Sequence, residues 1–286
     1  MDPASVSIVV PALNEENAIG PLVKDLKERF AEAQVIVVDD GSTDETAQRA
    51  AAQGAQVISH DHSRGYGAAL MTGTDAATRE YVLFCDGDGQ HSVNDVGRLM
   101  EECDSYDMVV GRRDQDSHQE WIRRPGKWVL QRFANYLAGQ DIPDLNSGLR
   151  VFKRETLKKY LHLMPTGFSF SSTSTVAMLK SRRRCKYVPI TVRKRIGKSS
   201  VRQWRHGPQT LMLILRLAVL FEPLKVFLTV SAGLFVLTLI SLAVDILYNP
   251  EVISDSTVIL SVGTLITFMF GLVCDQVSAM RREKHE

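Results

Sequence analysis

The chain has 286 residues, a formal net charge of +1 and 44% hydrophobic residues, so it has room for one large domain and an appendage. Its four cysteines (Cys85, Cys103, Cys185, Cys274) are scattered, which excludes a disulfide framework or a zinc finger and suits a reducing compartment. The apolar run at 6–10 is too short for a secretory signal and is followed by Pro11, Asn14, Glu15 and Glu16.

Residues 5–10 read as a first buried strand, followed by a polar turn at 11–16. A helix follows in which Ile19, Leu22, Val23, Leu26 and Phe30 recur at helical spacing. Residues 35–38 are a second strand, ending in Asp39-Asp40-Gly41. Ser42-Thr43-Asp44-Glu45 fits a capping box that opens a helix to about residue 53. Residues 56–59 are a third strand, and the Gly-rich loop 62–67 leads into an Ala-rich helix. Residues 81–85 form a fourth strand, 92–102 a helix, and 107–110 a fifth strand ending in Gly111-Arg112-Arg113. A polar loop is expected at 114–124, a helix at 125–139, a turn at 144–148, a strand at 149–152, a helix at 168–179 and a strand at 186–192.

Strands alternating with helices predict an α/β fold with a doubly wound, mostly parallel sheet. The polar signals Asn14/Glu15, Asp39/Asp40, Arg64/Gly65/Gly67, Asp86/Asp88 and Arg112 all follow strands. They therefore lie along one sheet edge, as a nucleotide site requires. The loop at Gly65 is not a dinucleotide fingerprint, because Leu70 stands where the third glycine belongs and the loop follows the wrong strand.

The chemistry centres on Tyr81-Val-Leu-Phe-Cys-Asp86-Gly-Asp88-Gly-Gln90-His91. A strand ended by glycines places two carboxylates, one residue apart, where they can converge on a divalent cation that keeps positions for substrate phosphates. An EF-hand loop would need Gly at His91 and Glu at Gly97. A phosphatase with a strand-end Asp-x-Asp would have Thr or Val at Gln90 and place the motif nearer the N-terminus. A solvated Asp-Gly turn is the bland alternative.

From Lys180 to Arg216 the chain has no Asp or Glu and many Lys and Arg, a block that attracts anions. Residues 211–221 read as an amphipathic helix lying on a membrane surface, with a buried core helix as the alternative. Residues 226–248 and 257–280 are each long enough to cross ~30 Å of hydrocarbon. Basic residues flank the pair on both sides, and the positive-inside rule then places the N-terminal domain in the cytoplasm. Asp245 and Asp275 read as interfacial. Ser231, Gly233, Gly263 and Gly271 would permit close helix contacts, and with them self-association into a homo-oligomer. The expected organisation is a catalytic domain at 1–200, a juxtamembrane region at 201–223 and a transmembrane hairpin with a basic tail at 224–286.

VVPALNEE at 9–16, VVDDGSTDET at 37–46, RGYGAAL at 64–70, DGDGQH at 86–91, GRR at 111–113 and DLNSGLRVF at 144–152 resemble, in this order and spacing, the polyprenyl-phosphate glycosyltransferases. That family includes dolichyl-phosphate mannosyltransferase and undecaprenyl-phosphate glucosyltransferases, inverting family 2 enzymes with a GT-A fold. The resemblance implies nucleotide contacts at Pro11, Leu13, Glu15, Asp39 and Asp40, and Arg64 and Gly65, on the same edge, are read as nucleotide-binding with them. It implies Asp86 near nucleotide or sugar, metal ligands at Asp88 and Gln90 first and Asp86 with them, and Arg112 facing the reacting phosphate. Ser147 and Gly148 would lie by sugar or acceptor, and Arg193, Arg195 and Lys198 would grip phosphate at the membrane. The sequence departs from the family pattern at Gly89, Ser92-Val93 and Ser200.

The implied reaction moves a hexose from a UDP- or GDP-linked sugar to polyprenyl phosphate with Mg²⁺ or Mn²⁺. The acceptor phosphate is already largely ionised at pH 7, with a second pKa of about 6. It therefore needs positioning by arginines such as Arg112 and Arg123 or Arg124 rather than a strong base. The rival readings are a transferase acting on a lipid hydroxyl or polysaccharide, and a non-catalytic membrane-tethered nucleotide-binding scaffold. A nucleic-acid partner is not expected, because the basic block adjoins a membrane segment.

Overall fold

The structure is a computed structural model that describes residues 2–113, 131–132, 134–136, 138–167, 169–192, 219, 222–248 and 252–283. The expected loop at 114–124, most of the helix at 125–139 and the basic loop at 193–200 lie outside these residues, as does nearly all of the juxtamembrane helix at 211–221. The chain falls into two units, Met1–Gly207 and Pro208–Glu286.

In the first unit the described strands are β1 (Val6–Ala12), β2 (Gln34–Asp39), β3 (Gln56–Ser59), β4 (Tyr81–Phe84), β5 (Met108–Arg113), β6 (Arg150–Lys153) and β7 (Cys185–Ile190). They form one sheet in the order β3-β2-β1-β4-β6-β5-β7. β1 pairs in parallel with β2 and β4, β2 with β3, and β5 with β7. β6 runs antiparallel to both β4 and β5, so every strand except β6 points the same way. The expectation of a mostly parallel sheet holds, and the reversed β6 makes it mixed.

The central strands are apolar without alternation, because both sheet faces are covered. On one face Ile8, Val10, Leu83, Val109 and Val151 pack with α1 (Glu16–Arg29) and α4 (Val93–Glu102), through Ile19, Leu22, Leu26, Val96 and Leu99. On the other face Phe84 meets Phe152 at 5.5 Å and Phe170, at the start of α6 (Phe170–Lys180), at 5.7 Å between ring centroids. α2 (Thr46–Ala52), α3 (Tyr66–Ala76) and the short α5 (Arg154–Tyr160) complete the set of elements used below. α5 has no counterpart in the sequence reading.

The capping-box reading at Ser42–Glu45 is corrected. α2 begins at Thr46 with Glu45 at the N-cap position, and no side chain of a capping box closes it. Ser42 Oγ instead accepts the Asn14 N–H at 2.9 Å, and Asp44 accepts the Thr46 N–H at 3.0 Å. The helix starts where expected, but Ser42 serves a loop-to-loop contact in place of a cap.

The second unit is a hairpin of α7 (Pro223–Tyr248) and α8 (Asp255–Glu283). The stretches 223–248 and 255–280 each have 26 residues, with mean hydropathy of 2.3 and 2.2, so they are long and apolar enough to cross a membrane. Their outer faces expose large apolar side chains such as Leu237, Ile240, Leu265 and Ile266. Between the helices the Phe227 and Phe270 rings lie 6.0 Å apart, and a Cβ at Gly271 would come within 2.6 Å of Phe227 Cβ. Gly271 thus serves the hairpin's own packing, whereas Gly233 and Gly263 have open space beside them. Asp245, expected at the interface, accepts the Ser254 N–H (3.0 Å), Ser254 Oγ–H (2.9 Å) and Thr257 Oγ1–H (2.7 Å), and so ties the turn.

α3 crosses β1 at Gly73, where an added Cβ would lie 2.2 Å from Val9 Cγ1. Gly→Ala normally gains up to ~1 kcal/mol inside a helix. Here the clash with a fully buried valine of the central strand dominates, at roughly 1–3 kcal/mol of overpacking. Gly73→Ala is expected to lower the melting temperature, and Val9→Ala added to it to recover part of the loss.

Candidate active site

The polar residues collect where the topology reverses. From β1 the sheet grows one way through β2 and β3 and the other way through β4, so a crevice opens past the strand ends between β1 and β4. Gly87 sits in it, with its N–H on the Pro11 carbonyl at 3.3 Å.

Buried Pro11 lies near the end of β1, and the loop after it holds Leu13, Asn14 and buried Glu15. Asn14 adopts φ 55°, a left-handed conformation that asparagine tolerates, and its Oδ1 accepts the Thr43 N–H at 2.9 Å. The Glu15 N–H bonds Thr46 Oγ1 at 2.9 Å. The loops after β1 and β2 are thereby joined, and Asp39, which accepts the Ser42 N–H at 3.0 Å, closes the turn between them.

Asp40 faces another way. Its carboxylate accepts His60 Nδ1 (2.7 Å), Ser63 Oγ (2.8 Å) and the N–H groups of Arg64 and Gly65 (2.9 Å each). Burial alone would raise its pKa, but the hydrogen bonds from His60, Arg64, Ser63 and Gly65 outweigh that and hold it below the ordinary carboxylate value. Asp40 therefore shapes the loop before α3. Gly65 is required there: it has φ 101°, and a Cβ would stand 2.6 Å from the Thr166 carbonyl. The Arg64 side chain is exposed.

That loop delivers Tyr66, whose hydroxyl donates to Asp86 Oδ1 at 2.9 Å. On the other side His91 Nε2 lies 3.6 Å from Asp86 Oδ2. The third wall is Gly148, where a Cβ would fall 2.1 Å from Asp86 Oδ2. The reversed β6 makes this contact: Phe84 pairs with Arg150, so the turn entering β6 lands at the exit of β4. Burial alone would raise the Asp86 pKa, but the His91 ring, the Tyr66 hydroxyl and the Arg113 charge more than offset it, so Asp86 is ionised near neutrality. Burial and the Asp86 charge in turn push the Tyr66 phenol up. Asp88 is buried, and its Oδ1 accepts the Gln90 N–H at 3.1 Å across Gly89 (φ 72°).

Arg112 and Arg113 alternate along β5. Arg112 is exposed at the edge, whereas Arg113 forks onto Asp144 with Nε–Oδ2 2.7 Å and Nη2–Oδ1 2.8 Å. The charge of Arg113 reaches Asp86, a role the sequence reading did not give it. Ser147 is buried with its Oγ unbonded, beside Gly148. Arg123, Arg124, Arg193, Arg195 and Lys198 lie outside the described residues.

Among the described residues no three His, Cys, Asp or Glu side chains form a ready metal cage. Asp86, Asp88 and Gln90 offer hard oxygen donors from one short turn. The buried His91, with its Nδ1 unbonded, stands next to them. This partial donor set fits Mg²⁺ or Mn²⁺, which leave positions for water and a substrate's phosphate oxygens.

The model of "Glycosyl transferase family 2" matches residues 7–161, and that of the "GtrB C-terminal hairpin" matches 222–280. The chain belongs to glycosyl transferase family 2. It is therefore a glycosyltransferase, and its two apolar helices are a membrane-associated hairpin. The transferase is 29% identical to glycosyltransferase AglJ of Haloferax volcanii over 296 aligned positions, covering 99% of this chain and 96% of that protein. It is 30% identical to undecaprenyl-phosphate 4-deoxy-4-formamido-L-arabinose transferase of Edwardsiella ictaluri, over 55% of this chain and 51% of that protein. Its fold is GT-A-like. It resembles glucosyl-3-phosphoglycerate synthase of Mycobacterium tuberculosis, solved with Mn²⁺, UDP and glucosyl-3-phosphoglycerate. The TM-score is 0.59 at 23% identity, covering 75% of this chain and 78% of that one.

Tyr66, His91 and Arg113 are the site residues that the sequence reading passed over. Each stood inside a motif already singled out, and strand alternation at 112–113 was the available signal for the last.

Two outcomes are expected. Because the folded pKa of Asp40 is depressed, its contribution is complete above the ordinary carboxylate value of ~3.9 and is lost as pH falls through the folded value. Asp40→Asn should cost about 1–3 kcal/mol at pH 7, with the gap to wild type narrowing below about pH 4 in thermal melts. Gly148→Ala should displace the Asp86 carboxylate and cut turnover on the order of 10²-fold while the melting temperature changes little.

Proposed function

We propose that the enzyme transfers a hexose, with inversion, from a nucleoside-diphosphate sugar to a polyprenyl phosphate at the cytoplasmic membrane face. The observation that carries this is the meeting of the Asp86–Asp88 turn and the Ser147–Gly148 turn at one sheet edge, in a chain that continues into a membrane hairpin. The name of the undecaprenyl-phosphate transferase among its relatives supports a lipid-phosphate acceptor.

On this reading Pro11, Leu13, Glu15 and Asp39 line the nucleotide's side of the crevice, while Asp40 keeps Arg64 and Gly65 in place. Asp86, Asp88 and Gln90 would hold Mg²⁺ or Mn²⁺, which when bound neutralises charge on the departing diphosphate. An ionised oxygen of the acceptor phosphate attacks the anomeric carbon. The bond from that carbon to the diphosphate oxygen breaks, and the nucleoside diphosphate leaves with the electron pair. No side chain must remove a proton, because the phosphate monoester is already largely ionised. Arg113 supplies fixed positive potential beside Asp86. Arg112, Arg124, Arg193, Arg195 and Lys198 are assigned to phosphate groups of acceptor or membrane. Residues 1–200 form the catalytic part, 201–223 the juxtamembrane part and 224–286 the anchor, with both flanks of the hairpin cytoplasmic. The open surface beside Gly233 and Gly263 is assigned to self-association.

The test is transfer in detergent with polyprenyl phosphate, Mg²⁺ or Mn²⁺ and labelled UDP- and GDP-sugars. One donor should yield a labelled lipid. EDTA should abolish the product and either metal restore it. Asp88→Asn should lower transfer by at least about 10³-fold without a change in melting temperature. Donor hydrolysis without a lipid product would favour a hydroxyl or polysaccharide acceptor. Nucleotide binding without turnover would favour a scaffold.

A further inference from the structure

Arg150 is, among the described residues, the largest side chain with no exposure at all, and a buried cation is costly unless its donors are all met. Its contacts are carbonyl and hydroxyl oxygens in place of a carboxylate. Nε donates to the Ser147 carbonyl at 2.9 Å and Nη2 to the Leu145 carbonyl at 3.4 Å. Nη1 donates to the Ser171 carbonyl (2.8 Å), Ser174 Oγ (3.1 Å) and Thr175 Oγ1 (3.0 Å). Those last three residues are spaced i, i+3, i+4 and share one face of α6. The run Ser171-Ser-Thr-Ser-Thr175 is buried and is a weak helix-forming sequence, and solvating the guanidinium accounts for the hydroxyls of Ser174 and Thr175.

We propose that Arg150 is a positioning residue that holds the Ser147–Gly148 turn against Asp86. The turn is pinned by an arginine at each end: Arg113 forks onto Asp144 before it, and Arg150 grips the carbonyls of 145 and 147. Arg150 itself is fixed in register opposite Phe84, two residues before Asp86. Gly148 is then seated where no Cβ would fit, and the buried Ser147 Oγ is left unbonded at the site. The planar fork spans turn and helix at once, which a lysine ammonium cannot do. The consequence for turnover rests on the reading above, that Asp86 stands at the reacting diphosphate.

The test uses the full-length enzyme in detergent with Arg150→Lys, Gly148→Ala and the double variant. Arg150→Lys is expected to lower kcat about tenfold or more, in line with small misplacements of reacting groups. The donor KM and calorimetric nucleoside-diphosphate affinity with Mn²⁺ should stay within about threefold, and amide exchange at 145–148 should rise. In the double variant the kcat losses should be less than multiplicative, because both substitutions act on one contact. Unchanged exchange at 145–148, multiplicative losses, or a parallel loss of nucleotide affinity would each overturn the proposal. If Arg150→Lys does not fold, Ser174→Ala is read by the same measures, with a smaller kcat loss expected. Failure of the acceptor reading is seen separately, as wild-type enzyme that makes no glycosylated lipid. The exchange measurement and donor hydrolysis still decide the role of Arg150.

Discussion

The Asp86 carboxylate is held from three sides. Tyr66 donates to one oxygen, His91 approaches the other, and Gly148 fills the space where a side chain would otherwise stand. Each neighbour comes from a different part of the chain: the start of α3, the turn after β4 and the turn before β6. The carboxylate keeps its charge against burial because these neighbours, with Arg113 behind them, favour the ionised form. A charge fixed in advance does not have to reorient when a charged substrate arrives, which is the physical content of preorganisation.

The supporting loops follow the same logic. Acidic side chains near the edge divide between facing the crevice and building it. Asp40 spends its oxygens on the 60–65 loop, and Asp144 spends its own on Arg113. Asp44 and Ser42 tie the β1 and β2 loops together. An acidic motif of the form Asp-Asp-Gly-Ser-Thr-Asp thus combines contact and scaffolding roles that only coordinates separate.

The strands were legible because β1, β2 and β4 are short, mainly apolar runs that give way to polar turns at Asn14, Asp39 and Asp86, a pattern set by burial on both faces. The edge on which the polar residues gather followed from the parallel order of those strands. The direction of β6 was not legible, since a four-residue run carries no sign of its partner's orientation. Gly148 could therefore be placed near the sugar or acceptor by resemblance, but not against Asp86. Arg150 stayed hidden for a related reason. An arginine inside an apolar strand reads as an exposed edge, and its actual surroundings come from α6, more than twenty residues later. The helix start at Ser42 misled because a capping box and a loop-to-loop bridge use the same residue types.

The insertion of β6 between β4 and β5 also orders events in time. Tyr81 pairs with Lys153 and Phe84 with Arg150, so the middle of the sheet waits for chain made long after β4. On a ribosome the β1–β4 block can form with its β4 edge bare, a species open to wrong pairing. Closure by β6 covers that edge and brings Gly148 to Asp86 in the same step. The strand that covers the β4 edge is thus the same one that carries Gly148 to Asp86.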